Sequence, residues 1–289
     1  MPLRKLGTLM DHLVETSPFV YRDQLLILES VRPRTPGSSH PGEHYLRIRR
    51  IADGTRDVRD AQEFADAEVL TEFGHSHTFA APIVRDDELF VYASRRDEDD
   101  GIMDEITVFR TEDLRNWRQQ LAIKGVNERL FNCSVCFDGE RHVMALESDF
   151  RPSPYFTVKF AVSDDLVNWT VLPDSEAVLG TDRYAACPTI RHHDGCYYVW
   201  YLERPDRWWF ETWLTRSQDL LRWEHSPQNP ILRPGPDEDV NNSDIDFCEF
   251  GGSIVIYYSW GSQRGDEHLA HAVYDGTLAD WVREAYPDR

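Results

Sequence analysis

Short apolar runs separated by polar turns recur along most of this chain. Residues 45–51 alternate apolar and polar side chains, which is typical of a half-buried strand. The apolar runs at 89–94 and 197–202 predict more deeply buried strands. Two-residue turns such as Asp194-Gly195 and Gly251-Gly252 favour hairpins, because their twist matches that of the flanking strands. The pattern therefore predicts an all-β, antiparallel protein.

A seven-residue motif follows three of these groups of strands. It reads Thr-Glu-Asp-Leu-Arg-Asn-Trp at 111–117, and its core, Ser/Thr-x-Asp-Leu-x-x-Trp, recurs at 163–169 and 217–223. Residues 275–281 form a degenerate, worn copy that keeps the Leu and the Trp. Successive Trp residues of the motif stand 52, 54 and 58 positions apart, and a long repeat of this kind is typical of propeller blades. We interpret the motif as structural: its Asp and hydroxyl groups fix a turn, while its Leu and Trp pack against an adjacent sheet.

The strand groups divide the chain into units of about four strands. Residues 1–14 read as a polar lead-in, the first unit lacks the motif, and no linker splits the chain. The sequence therefore predicts a single domain over residues 1–289, a five-bladed β-propeller with four-stranded antiparallel blades. The approximate blade bounds are 15–70, 75–125, 128–175, 182–232 and 241–285.

Composition and charge narrow the class of partner. The net charge of −20 disfavours nucleic acid, because an acidic surface repels phosphate backbones. No run approaches the roughly 18 apolar residues of a membrane span, and no signal peptide is apparent. The five cysteines read as reduced, buried thiols, and Cys133 and Cys136 have no second pair at zinc spacing. We therefore expect a cytoplasmic protein without a membrane partner; the oligomeric state stays open.

The three complete motifs give the chain a resemblance to the five-bladed propeller glycosidases, which include glycoside hydrolase families 43, 62, 117, 32, 68 and 130. In many of these, Ser-x-Asp-Leu-x-x-Trp closes a blade after a strand, and the resemblance here covers about residues 15–289. It implies a carbohydrate substrate in a funnel at one end of the central channel. The fructan enzymes' Asn-Asp-Pro-Asn-Gly, Arg-Asp-Pro and Glu-Cys motifs are absent, so catalytic residues are inferred from position.

Position within each blade indicates the candidates. The start of a first strand and the end of the second lie at one rim, because the two strands are antiparallel. Glu29, Glu147 and Glu203 each follow an apolar run, where an ionised group is costly. Each of them equally fits a structural role, capping a sheet edge or pairing with an arginine. Asp244 and Asp246 open the fifth unit and alternate with apolar neighbours, so we expect them on one side of a strand.

Glycoside hydrolysis requires one carboxyl group as acid and a second as base or nucleophile. We assign the acid to Glu147 or Glu203, and the base to Asp244, Asp246 or Glu15; analogy with the arabinanases favours inversion. No cofactor is expected, apart from a structural Ca²⁺ or other cation considered for the central channel. The residues predicted to bind substrate are Glu15, His77, Arg95, Asp182, Arg183, Asp246 and Trp260.

Two other functions remain open at this point. A glycoside phosphorylase would need a phosphate pocket, for which the candidates are Arg95, Arg96, Arg183 and His77. A non-catalytic carbohydrate-binding propeller would be favoured if the rim carboxylates were paired with arginine. The preferred reading is a hydrolase acting on a small oligosaccharide or glycoside.

Overall fold

The computed structural model describes residues 3–53, 60–97, 99–149 and 156–287. Within these ranges the chain is mostly strand, with two short helices, α1 (Ala61–Ala65) and α2 (Leu278–Ala285). The strands are β1 (Arg4–Asp11), β2 (Thr16–Tyr21), β3 (Gln24–Val31), β4 (Tyr45–Asp53), β5 (Val69–Phe73), β6 (His77–Arg85), β7 (Glu88–Arg95), β8 (Glu105–Thr111), β9 (Arg118–Lys124), β10 (Leu130–Phe137), β11 (His142–Ser148), β12 (Thr157–Ser163), β13 (Thr170–Val171), β14 (Val178–Leu179), β15 (Ala186–His193), β16 (Cys196–Asp206), β17 (Trp209–Ser217), β18 (Glu224–His225), β19 (Asn241–Phe250), β20 (Ser253–Gly261) and β21 (Glu267–Tyr274).

The strands form antiparallel groups that follow the order of the chain. Strands β2 to β5 and β6 to β9 make two four-stranded sheets, and β10 to β14 make a third. Strands β15 to β18 are joined to the last group by one parallel pairing, between Phe210 and Asn241. The first strands of the groups pack against one another in the order β2, β6, β10, β15, β19, and β19 returns to β2. These first strands therefore surround a common centre.

The start of the chain corrects the prediction of a polar lead-in over residues 1–14. Strand β1 pairs antiparallel with β21, from Arg4 opposite Val273 to Asp11 opposite His268. The group formed by β19, β20 and β21 thus receives its fourth strand from the beginning of the chain. The apolar pattern of β1 is weak because it is an outer strand with exposed positions.

The complete motifs form the predicted turns. Thr111 Oγ1 accepts hydrogen bonds from the main-chain N–H groups of Asp113 and Leu114, and Asp113 Oδ1 accepts from those of Arg115 and Asn116. The motif Trp side chains pack against neighbouring sheets: Trp117 stacks on Phe73 with 3.7 Å between ring centroids. The structural interpretation of the motif is therefore confirmed.

The worn copy at 275–281 adopts a different structure, which corrects its reading as a fourth copy of the turn. Thr277 caps helix α2, because its side chain accepts from the Asp280 N–H while the Asp280 carboxylate accepts from the Thr277 N–H. Trp281 is buried against Trp200 and Phe247. The Trp keeps its packing role, but it does so from a helix.

The predicted two-residue hairpin turns are present between first and second strands. Asp194 and Gly195 have φ of 48° and 73°, and Gly251 and Gly252 have φ of 60° and 82°. Positive φ at both positions is the signature of the type I′ turn. The turn between β10 and β11 is longer. It is closed by a hydrogen bond from the Asp138 N–H to the Arg141 carbonyl oxygen at 3.1 Å.

A shared kink marks the rim end of the first strands. Glu15, Phe79, Cys187 and Asp244 have φ of 54°, 57°, 48° and 50°, which is the left-handed region. In β6, β15 and β19 the kink coincides with a skip in pairing to the second strand. A bulge of this kind re-aims a side chain. Strand β10 has a similar skip, which falls opposite Glu147.

Neither helix among the described residues has the length and apolar content that a membrane-crossing helix needs.

Candidate active site

The centre of the molecule contains a small cavity between the first strands, with a volume of about 30 Å³. That volume suits roughly one water molecule. Polar residues contributed by β10, β15, β19 and the start of β2 surround it. The polar and thiol side chains lining it are Glu15, Thr16, Ser17, Asn132, Cys133, Cys187, Thr189, Asp244 and Asp246.

Glu147 lies behind two residues of this cavity, near the end of β11, where its side chain is buried. Its Oε2 accepts hydrogen bonds from Asn132 Nδ2 at 3.0 Å and from the Cys187 N–H at 2.8 Å. Burial raises the pKa of Glu147 to about 7; the negative charge of Asp244 adds to the rise, and the two hydrogen bonds oppose it. A carboxyl group with this pKa is suited to hold and release a proton near neutral pH.

Glu15 lies at the kink before β2 and forms an ion pair with Arg32. Burial raises the pKa of Glu15 to about 8; Arg32 opposes the rise, while the charges of Asp244 and Glu147 reinforce it. Its Oε2 is buried without a hydrogen-bond partner among the described residues. Glu15, Asp244 and Glu147 therefore form one electrostatically coupled cluster, called here the carboxylate cluster.

Asp244 belongs to the carboxylate cluster through the kink in β19. It is half-buried and accepts a hydrogen bond from Ser243 Oγ at 2.8 Å. Its negative charge raises the pKa values of Glu15, Glu147 and the Cys187 thiol, so all three lie within its electrostatic reach. It combines partial exposure with access to the cavity, as a group that activates water would require.

Asp246 lines the same cavity but has a partner within the protein. Its Oδ1 accepts from Arg191 Nη2 at 2.6 Å, and the Arg191 guanidinium lies over the Phe247 ring at 4.6 Å. Arg191 lies further along β15 than the cavity-lining Thr189. The arrangement fits a structural role for Asp246 at the inner end of the cavity.

Glu203 occupies a different pocket, with a volume of about 350 Å³, called here the Glu203 pocket. Glu203 is buried, and burial raises its pKa; it accepts from Tyr201 Oη at 3.2 Å and lies 3.7 Å from Arg183 Nη1. Asp182 in turn pairs with Arg183 at 3.2 Å. The pocket is lined by Asp182, Arg183, Tyr184, Glu203, Arg204, Pro205 and Trp213.

The remaining candidates lie outside both cavities. His77 is buried, and its ring nitrogens contact the His75 carbonyl oxygen at 2.8 Å and Thr107 Oγ1 at 2.9 Å. Arg95 is exposed and pairs with Glu105 at 3.0 Å. Trp260 stacks on His268 with ring centroids 4.4 Å apart.

Glu29 shows the structural alternative that the sequence left open. It is fully buried and forms ion pairs with Arg47 and Arg49, both of which are also buried. A buried carboxylate held between two arginines is a structural cluster, since its charge is already compensated.

The sequence did not indicate two neighbours of the carboxylate cluster, Arg32 and Cys187, and it did not predict the partner of a third, Asn132. Arg32 stands just after β3, and Cys187 lies at the same kinked position of its strand as Glu15 and Asp244. Asn132 is recognisable at the start of its strand but gives no sign of its partner. Aligning the kinked positions of the repeats would have singled out Cys187.

The described ranges contain no group of three or more His, Cys, Asp or Glu side chains arranged to hold a metal ion. The cation considered for the channel stays a prediction.

No family model and no curated protein sequence matches this chain. Solved structures do match: a thermostable family-43 glycoside hydrolase is 11% identical, with a TM-score of 0.65 over 91% of this chain and 89% of its own. An α-L-arabinofuranosidase from Lactobacillus brevis is 12% identical, with a TM-score of 0.66 over 93% and 94%. A protein described as a glycoside hydrolase is 13% identical, with a TM-score of 0.65 over 95% and 93%. The chain therefore has the propeller fold of glycoside hydrolases, and the resemblance is confirmed at that level.

Proposed function

We propose that the protein is a glycoside hydrolase, a single-domain, five-bladed propeller whose carboxylate cluster cleaves small glycosides. The ring of first strands from β2 to β19 and back supports the blade count, with β1 completing the last blade. One observation carries the function. The carboxyl groups of Glu15 and Asp244 line one central cavity. Glu147, from a third group of strands, is hydrogen-bonded to the cavity-lining Asn132 and Cys187, and its pKa is raised to about 7.

In this proposal Glu147 is the general acid. It donates a proton to the glycosidic oxygen while the bond from that oxygen to the anomeric carbon breaks. Asp244 removes a proton from water, and the resulting hydroxide oxygen bonds to the anomeric carbon. Glu15, held by Arg32, lies beside the reacting centre. Inversion is the expected outcome, because in this proposal Asp244 activates water and forms no bond to the sugar.

The first test is a panel of p-nitrophenyl glycosides, beginning with the α-L-arabinofuranoside because one matched structure is an α-L-arabinofuranosidase. We expect the wild type to hydrolyse at least one of these glycosides. With the matching methyl glycoside or disaccharide, whose leaving group needs a proton, we expect turnover to be lost in Glu147→Gln and Asp244→Asn and to persist in the outer-strand control Glu224→Gln. NMR of the first-formed sugar should show the inverted anomer. Full activity in both site variants would contradict the proposal.

A non-catalytic carbohydrate-binding propeller is the second candidate. Glu15, Asp246 and Glu203 each have an arginine partner, which is the arrangement expected of a binding site. Glu147 departs from it, because its described hydrogen bonds come from an amide side chain and a main-chain N–H. Sugar binding without turnover across the panel would favour this alternative, and turnover that depends on added phosphate would favour a phosphorylase.

A further inference from the structure

We propose that the Glu203 pocket is a second sugar subsite that binds a neutral sugar residue on the leaving-group side of the scissile bond. This inference rests on the proposed function and extends it: the preferred substrate has at least two sugar units. Glu203 is then a substrate-binding residue, and the acid is Glu147.

The pocket has the composition of a sugar-binding site. Glu203 supplies a carboxylate, Arg183 supplies a guanidinium 3.7 Å from it, and Trp213 and Tyr184 supply aromatic surface. A carboxylate accepts hydrogen bonds from sugar hydroxyls and a guanidinium donates to them. The volume of about 350 Å³ falls within the range of small-ligand pockets.

The pocket adjoins the carboxylate cluster through Tyr184. The Tyr184 ring lines the pocket, and its pKa is raised chiefly by burial and further by the charges of Glu147 and Asp244. The Arg204 guanidinium lies over the Tyr184 ring, 5.4 Å from its centroid. Tyr184 packs in one apolar cluster with Cys187, whose N–H binds Glu147. Tyr184 thus borders the Glu203 pocket and packs in the cluster that includes the main-chain donor to Glu147. In this proposal a substrate of two sugar units extends past Tyr184.

Pairing geometry separates Glu203 from Glu147. Glu147 lies opposite the skip in β10, between the pairs Cys133–Leu146 and Leu130–Ser148. Glu203 lies one residue beyond the last pair of β15 with β16, Ala186–Leu202, and is therefore displaced outward along its strand. The two glutamates are therefore not at equivalent positions of their strands, which agrees with separate roles for them.

The charges of the pocket predict a neutral sugar. Arg183 and Arg204 are accompanied by Glu203 and Asp182, so the described residues of the lining carry two positive and two negative groups. Asp182 and Glu203 both compensate Arg183. A uronic acid would bring a further carboxylate close to Glu203, and like charges repel at this range.

Binding is measured by calorimetry in the Glu147→Gln protein, which prevents turnover. The probes are neutral disaccharides (arabinobiose, xylobiose, mannobiose and sucrose), the matching methyl glycosides, and digalacturonic acid. At least one neutral disaccharide should bind about tenfold or more tightly than its methyl glycoside. Adding Glu203→Gln should remove most of that advantage, since a hydrogen bond to a charged group accounts for roughly 10- to 100-fold in affinity. Glu147→Gln/Glu224→Gln is the matched control.

The outcomes separate this inference from the proposed function. If the wild type shows no turnover but a disaccharide still binds more tightly than its methyl glycoside, hydrolysis is rejected and the subsite is kept. Equal weakening of disaccharide and methyl glycoside by Glu203→Gln would overturn the subsite, as would no disaccharide advantage for any probe. Tighter binding of digalacturonic acid than of every neutral disaccharide would overturn the neutral specificity. Arg183→Gln, expected to reproduce the loss, keeps the test decisive if Glu203→Gln fails to fold.

Discussion

The main-chain N–H of Cys187 donates a 2.8 Å hydrogen bond to Glu147 Oε2, although 40 positions separate the two residues. The donor lies in the kink of β15, and the acceptor lies near the end of β11, in the preceding group of strands. The protonation of Glu147 therefore depends on the backbone conformation of a neighbouring sheet as well as on its own burial.

Replacing Glu147 with Gln should lower kcat/KM by about 10²- to 10⁴-fold, the usual contribution of a positioned acid. Because the protonated carboxyl is the active form and its pKa is about 7, wild-type kcat/KM should fall as pH rises through about 7. The measurement is a pH profile for both proteins with the matching methyl glycoside or disaccharide, because those leaving groups need the proton that p-nitrophenolate does not. A wild-type profile that is flat between pH 6 and 8 would remove Glu147 from the acid role.

Asn132→Ala should move the fall of kcat/KM at alkaline pH to a higher pH. The Asn132 amide donates to Glu147 Oε2 at 3.0 Å and so favours the ionised form. Its loss should raise the pKa of Glu147 by about one unit, since a hydrogen bond to a charged group contributes roughly 1.5 kcal/mol or more. Thr107→Ser is the control, because Thr107 contacts His77 outside the carboxylate cluster; it should leave the pH dependence of kcat/KM unchanged. A shift to lower pH in Asn132→Ala would contradict the assignment.

Glu147→Gln should also change how stability depends on pH. The folded pKa of Glu147, about 7, lies above the unfolded value of roughly 4.3, so its contribution to stability is present below pH 4 and is lost as pH rises through 7. The variant avoids this loss. Urea unfolding should therefore show Glu147→Gln gaining about 2 kcal/mol on the wild type between pH 5 and pH 8. A constant difference at the two pH values would show that Glu147 is ionised throughout.

Trp117→Ala should destabilise the fold and leave the chemistry of each folded molecule intact. The ring stacks on Phe73 and donates from Nε1 to Thr71 Oγ1 at 3.2 Å, so its removal opens a gap between two sheets. A loss of about 3 kcal/mol is expected from similar truncations. Thermal unfolding and active-site-normalised kcat give the two readouts. A large drop in normalised kcat at low temperature would indicate that the motif does more than join sheets.

Deleting residues 1–11 should expose the edge of β21, because β1 is its partner along most of its length. An unpaired edge promotes association between molecules. We expect a lower unfolding temperature and concentration-dependent aggregation, followed by light scattering. A truncated protein that is monomeric and as stable as the full chain would show that β1 is dispensable.

The sequence was informative where the chemistry is local. Turn residues such as Asp194-Gly195 need positive φ wherever they occur, and the motif at 111–117 makes its hydrogen bonds within seven residues. Both were therefore predictable. The end of the chain was misread because Thr277 and Asp280 also satisfy the rules of a helix cap, which override the resemblance to the motif.

The parts that sequence could not give depend on distant partners. Glu29, Glu147 and Glu203 each follow an apolar run, yet their partners differ. Glu29 pairs with two arginines, Glu147 accepts hydrogen bonds from an amide side chain and a main-chain N–H, and Glu203 lies beside Arg183. Strand β1 resembled a tail because its pairing partner lies at the other end of the chain. Period-two alternation also fails at the kinks, where one additional residue shifts the side chains that follow.

The kink shared by Glu15, Phe79, Cys187 and Asp244 has a consequence for how such a protein acquires new chemistry. At three of the kinks, those of Glu15, Cys187 and Asp244, the side chain lines the central cavity, while the sheet behind is held by main-chain pairing. A point mutation at one of these three kinks therefore changes the reactive groups with little effect on the framework. Phe79 is the kinked position with an apolar side chain, which packs against Phe131 and under the Arg32 guanidinium.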